Sequence, residues 1–147
     1  MKTELSLVLD LALARTLVTR DVDNTLGAHH GLGLNDLALL LELRSAPQGR
    51  MRRVELAGRL GVTTSGVARQ LGPLERRGIV ARESNPADAR LALVVLTEAG
   101  ENVIEQALAT AEEDAERVLA KHWSPAERQR LGKLLSAVRR CPARAAG

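Results

Sequence analysis

A chain of 147 residues that is 45% hydrophobic holds one ordinary domain with a real core, so neither disulfides nor a metal is needed to fold it. Phe and Tyr are absent and Trp123 is the only aromatic, which leaves a core of Leu, Val and Ala and favours helix packing over an aromatic-rich sheet. A single cysteine, Cys141, excludes an internal disulfide framework, no signal pattern opens the sequence, and no apolar run approaches the ~18 residues that span a bilayer; with a net charge of only +3, a soluble cytoplasmic protein is expected.

Residues 4–26 read as one long helix. Leu5, Val8, Leu9, Ala12, Leu13, Leu17, Val18, Val22 and Leu26 keep helical spacing without an interrupting Gly or Pro. Leu7 and Leu11 make its first half apolar on more than one side, so it needs cover from two directions, and a second subunit would supply one of them. His29-His30-Gly31-Leu32-Gly33 reads as a linker. Asn35 is the expected N-cap of a buried, Leu-rich helix over 37–44, with Asp36 in its first turn; Ala46-Pro47-Gln48-Gly49 ends it.

A short helix over 54–60 follows, with Leu56, Ala57 and Leu60 inward. Gly61-Val62-Thr63 turns the chain, and Thr63 can cap a helix that runs to about Arg77 on an inward stripe of Val67, Leu71 and Leu74. Gly78 ends it as a residue able to adopt positive φ. The period then changes: 79–83 reads as a strand, 84–89 as a turn-rich tip, and 90–96 as a returning strand. Thr97 is expected to cap a helix reaching about His122, with a stripe of Val103, Ile104, Ala107, Leu108, Ala111, Ala115, Val118 and Leu119. Its acidic run, Glu112-Glu113-Asp114-Glu116, reads as a solvated face. Ser124-Pro125-Ala126-Glu127 is a capping box for a last helix that buries Leu131, Leu134, Leu135 and Val138 and stops at Cys141-Pro142.

Helix, tight turn, helix, strand, tip and strand in this order make a winged helix-turn-helix. The fold class expected is mainly α with a minor β component: about six helices and a two-stranded wing. Charge points the same way, since residues 50–90 hold nine arginines against four acids, the footprint of a polyanionic partner. With Val67, Leu71 and Leu74 inward, ~100° per residue places Ser65, Arg69, Gly72 and Arg76 outward, with Ala68 and Gln70 on the flanks. The first turn, Thr63-Thr64-Ser65-Gly66, is small enough for close approach to a phosphate or base edge. Arg69 is the leading base reader, because a guanidinium bridges the O6 and N7 of guanine; Gln70 is the second choice, for adenine. Thr64 and Ser65 serve bases or phosphates. At the tip, Arg90 can reach the minor groove, with Asp88 holding its guanidinium.

Four stretches resemble the MarR-type winged-helix regulators in order and spacing. They are Val54-Glu55-Leu56-Ala57-Gly58-Arg59-Leu60-Gly61-Val62, then Leu74-Glu75-Arg76-Arg77-Gly78-Ile79-Val80, then Asn85-Pro86-Ala87-Asp88-Ala89-Arg90 leading to Leu96-Thr97-Glu98-Ala99-Gly100. The resemblance covers nearly the whole chain and implies a homodimeric, ligand-responsive repressor that binds a pseudo-palindromic operator in double-stranded DNA. It implies a single chain, 1–147, with a DNA-binding lobe over 35–97 and a helical dimerisation region over 4–27 and 98–141. The DNA-binding set becomes Thr63, Thr64, Ser65, Arg69, Gln70, Arg76, Asp88 and Arg90, and the implied effector is anionic or phenolic. The chain departs from the family pattern twice: Arg52-Arg53-Val54 offers no side-chain cap, and Pro73 lies inside the recognition helix, where it removes a backbone bond and predicts a local bend.

Other functions find less support. His29, His30 and His122 adjoin no nucleophile, and no Gly-rich phosphate loop or paired-carboxylate motif appears, so no enzyme and no cofactor is expected. A zinc-sensing reading would combine His29-His30 with His122 and an acid. A thiol-sensing reading would use Cys141 beside Arg139 and Arg140. A winged helix can also serve as a protein-docking module.

Overall fold

The computed structural model describes residues 2–84, 87–88 and 91–140. The first helix, α1 (Thr3–His30), is longer than expected. It runs through His29 and His30, which are therefore its last turn and not a linker. Gly31 ends it at φ 63°, its N–H bonding the Gly27 carbonyl at 3.1 Å while the Leu32 N–H reaches Leu26 at 3.4 Å. The next helix, α2 (Leu34–Ser45), begins one residue before the expected cap. Asp23 accepts the Leu34 N–H at 2.8 Å, so Asn35 lies inside the first turn with Asp36. Leu37, Leu39, Leu40 and Leu43 are buried as the Leu-rich stretch requires.

A short 3-10 turn, Pro47–Gly49, leads into a strand that the sequence did not reveal, β1 (Arg50–Arg52). Gln48, at φ 58°, holds the left-handed conformation that bends the chain into it. Two further strands, β2 (Val80–Glu83) and β3 (Leu93–Leu96), complete an antiparallel sheet of order β1-β3-β2. Met51 pairs with Val94 on one side of β3, and Arg82 pairs with Val94 on the other. The expected two-stranded wing is thus part of a three-stranded sheet. β3 starts at Leu93 and not at residue 90, and the Leu91 N–H bonds the Asp88 carbonyl at 3.0 Å. Asn85, Pro86, Ala89 and Arg90 lie outside the described residues.

Two short helices stand between β1 and β2. α3 (Arg53–Leu60) buries Leu56 and Ala57, and Leu60 is half-buried. Gly61, at φ 68°, turns the chain into α4 (Thr64–Arg76), which buries Val67, Leu71 and Leu74 and continues as one helix through Pro73. After Gly78 (φ 71°), Ile79 and Val80 enter the core.

Thr97 caps α5 (Glu98–Ala120) by accepting the Gly100 N–H at 3.0 Å. Its hydroxyl also lies 2.6 Å from the Gly78 carbonyl and 2.9 Å from that of Ile79. Along α5, Ile104, Ala107, Ala111 and Val118 are buried. The acidic run is not uniformly solvated: Asp114 follows the same inward spacing, is only 6% exposed, and pairs with Arg117 one turn on.

The last helix, α6 (Pro125–Arg140), opens with the expected reciprocal box: Ser124 N–H to Glu127 Oε2 at 2.8 Å and Glu127 N–H to Ser124 Oγ at 3.3 Å. That box holds the Glu127 carboxyl below its ordinary value, first through the Ser124 backbone N–H and then through the Ser124 side chain. The apolar stripe of α6 is not buried as expected. Leu131 is half-buried, while Leu134 and Val138 are 67% and 72% exposed, since no described element of the chain covers them. Leu5, Leu7, Val8, Leu9, Leu11, Leu13 and Leu17 of α1 are exposed in the same way. The Cys141 stop lies outside the described residues.

The contacts divide the chain into two compact units. One is Asn35–Ala107; the other joins the chain up to Leu34 with the segment from Leu108 to the end of α6.

Candidate nucleic-acid interface

The face of α4 opposite its buried stripe groups exposed polar and basic side chains on one side of the helix. Burial of Val67, Leu71 and Leu74 fixes the helix roll, so Thr64, Ser65, Arg69 and Arg76 are exposed, as helical geometry demands. Thr63 accepts the Gly66 N–H at 3.0 Å, and its Oγ lies 3.3 Å from the Ser65 hydroxyl. The cap leaves little room at Gly66, where a β-carbon would sit 3.0 Å from Thr63 Oγ1. The helix therefore begins with hydroxyls and backbone N–H groups at its positive end, a setting suited to an anion.

Arg76 Nη1 lies 3.5 Å from where a β-carbon at Gly72 would be, so the Arg76 guanidinium folds back along the helix toward Arg69 over bare backbone. Gln70 is placed differently. It is half-buried and donates Nε2 to Asp36 Oδ1 at 3.2 Å, tying α4 to α2. Asp36 is thus a residue of the site's support that sequence reasoning missed; its only signal was an acid in the first turn of α2.

The arginines of this unit fall into two sets. Arg50 makes a two-pronged bond to Glu83 at 2.6 and 2.9 Å, Arg59 meets Glu42 at 3.6 Å, and Arg82 meets Glu75 at 3.7 Å. These pairs brace the sheet and α3 and leave their cations partly neutralised. Arg69 has no ion pair among the described residues. The structure thus brings Thr63, Thr64, Ser65, Arg69 and Arg76 to one helix face and turns Gln70 toward α2. Asp88 is half-buried at the tip, and Arg90 lies outside the described residues.

The histidines do not come together as a metal centre. His30 Nε2 bonds Thr110 Oγ1 at 2.9 Å, His29 lies beside it with ring centroids 6.4 Å apart, and His122 lies against Trp123. Among the described residues no group of three His, Cys, Asp or Glu is placed to hold an ion. No described helix is long and apolar enough to cross a membrane.

Residues 30–91 match the model of the MarR family. The uncharacterized HTH-type transcriptional regulator YxaD of Bacillus subtilis (strain 168) is 32% identical over 87 residues, 59% of this chain; the match spans 60% of that relative's length. Among solved structures, a MarR family transcriptional regulator from Streptomyces coelicolor in complex with DNA is similar at a TM-score of 0.80 and 27% identity, over 94% of this chain and 90% of the other. Wild-type MarR from E. coli in its apo form is similar at a TM-score of 0.72 and 27% identity, over 87% and 93%.

Proposed function

We propose that this chain, which belongs to the MarR family of transcriptional regulators, is a sequence-specific double-stranded DNA-binding regulator that acts as a homodimeric repressor on a pseudo-palindromic operator. One observation carries the reading: the exposed row of Ser65, Arg69 and Arg76 on a helix whose other side is anchored in the core. In this reading α4 enters the major groove with Thr63, Thr64 and Ser65 at its phosphate-facing end. Arg69 reads guanine and Arg76 supports it. Gln70, already bonded to Asp36, contributes at most its free acceptor oxygen. Arg90, steadied by Asp88, takes the flanking minor groove. No catalytic step is assigned, and the working compartment is the cytoplasm.

Homodimerisation draws its support from the exposed leucines of α1 and the exposed Leu134, Leu135 and Val138 of α6, because apolar surface on that scale marks an interaction face. A cleft of about 290 Å³ between α1 and α5, walled by Val18, Val22, Leu34, Ala111 and Val118, suits a small effector. Glu112 in its wall favours a neutral or phenolic compound over a carboxylate.

Selection of bound sequences from a random duplex pool tests the function. An enriched pseudo-palindrome, with half-sites about one helical turn apart, is the expected result. Absence of any enrichment would instead favour a protein-docking winged helix.

A further inference from the structure

The division of the arginines into paired and unpaired sets reaches beyond α4. Of the nine arginines between residues 50 and 90, Arg50, Arg59 and Arg82 are held by carboxylates, Arg77 also has a partner, and Arg90 lies outside the described residues. Four make no ion pair among the described residues: Arg69 and Arg76 on α4, and Arg52 and Arg53. The last two adjoin each other where β1 gives way to α3. Arg52 is exposed and Arg53 half-buried.

The junction keeps its own acid occupied. Glu55 Oε2 accepts the backbone N–H of Arg52 at 3.4 Å, which caps α3 without engaging either guanidinium. Two unneutralised cations therefore stand at the positive end of a helix packed against α4. In a helix-turn-helix, the helix preceding the recognition helix crosses the sugar-phosphate backbone while its neighbour enters the groove. Neither residue lies on the α4 face that would reach base edges.

Resting on the regulator reading above, we propose that Arg52 and Arg53 bind the DNA phosphate backbone. Their contribution is a sequence-independent clamp beside the sequence-reading face of α4. A phosphate contact needs charge more than the fork geometry of a base contact, so lysine can replace arginine here but not at Arg69.

The test is the salt dependence of binding, followed by fluorescence anisotropy on the selected operator and on a scrambled duplex. Each phosphate neutralised adds about 0.9 to the slope of log affinity against log salt. The double variant Arg52→Gln/Arg53→Gln should lower that slope by about 1.8 per protomer on both duplexes, leaving the ranking of sequences unchanged. The variant Arg52→Lys/Arg53→Lys should keep the wild-type slope. A charge-matched comparison, Arg59→Gln/Arg82→Gln, removes two paired arginines and should change the slope by less than half as much. Far-ultraviolet circular dichroism confirms that each variant is folded. An unchanged slope in the Arg52/Arg53 glutamine variant overturns this assignment alone, and so does an equal fall in the Arg59/Arg82 variant. Wild-type protein that shows no salt-dependent binding overturns the regulator reading and this one together.

Discussion

Gly100 packs against the backbone of Ile79 so closely that a β-carbon there would lie 2.2 Å from the Ile79 carbonyl oxygen. The same carbonyl accepts the Thr97 N–H at 3.2 Å and lies 2.9 Å from the Thr97 hydroxyl. The Leu96-Thr97-Glu98-Ala99-Gly100 stretch is therefore a joint: one residue grips the carbonyls that follow α4, and the other lets α5 close onto them.

The first prediction concerns that joint. Gly100→Ala should destabilise the fold by about 1–3 kcal/mol, because the contact is with backbone and cannot be relieved by a rotamer change. Gly58→Ala is the contrasting case. Gly58 is exposed inside α3, with nothing within 4 Å of an added β-carbon, so the change should stabilise by ~0.5–1 kcal/mol. Urea unfolding of the two variants should move the midpoint in opposite directions.

A second prediction separates neighbours on α4. Arg69→Ala should weaken operator binding by ~1–3 kcal/mol and relax preference at one base position while stability stays near wild type. Gln70→Ala should do the reverse. It loses the bond to Asp36 and about 0.5–1.5 kcal/mol of stability, with little change in the selected sequence. Parallel unfolding and binding measurements distinguish the two.

The apolar faces of α1 and α6 give a third. Leu134→Glu with Val138→Glu adds charge to residues that are already exposed in the single chain, so the isolated fold should tolerate both. If the dimer uses this face, light scattering should show the mass fall from twice the 15.8 kDa chain to the chain itself, and affinity for a two-half-site duplex should drop at least ~100-fold. Unchanged mass would remove α6 from the interface.

The fourth is a pH dependence. The Glu127 carboxyl, held below its ordinary value of 4.5 by the Ser124 backbone N–H and side chain, favours the folded helix start only when ionised. Its contribution is fully present above that value and fades as pH falls through the lower value of the folded state. Wild type should thus be more stable than Glu127→Gln near neutral pH, and the difference should shrink as pH falls below 4.5. A constant difference across the titration would show that the box acts by packing and not by charge.

The sequence was most informative where structure depends on near neighbours. The Thr63 cap, the Val67/Leu71/Leu74 stripe, the left-handed Gly78 and the Ser124/Glu127 box each rest on residues a few positions apart. For the same reason the exposed row Ser65, Arg69 and Arg76 could be read from helical spacing. What stayed hidden depends on distant partners. β1 is three residues long with Met51 as its one apolar member, and it is a strand only because β3 pairs with it. Asp114 looks like its acidic neighbours until the fold buries it. The bond from Gln70 to Asp36 and the sorting of the arginines into paired and unpaired cannot be seen from local pattern. The stripe of α6 was correctly apolar, but apolar spacing identifies a face that needs cover without saying which chain supplies it.

The central place of β3 fixes the register of both of its neighbours. Sliding β2 by one residue along β3 would expose Val80 and drive Ala81 inward. Sliding β3 with it would break the pairing of Met51 with Val94 on the opposite edge. The register of β2 is consequently held from behind, by three residues some forty positions earlier in the chain. A substitution on β1 such as Met51→Asp, which puts a charge on the buried member of that strand, should disturb the pairing of β2 with β3 before it unfolds the helices.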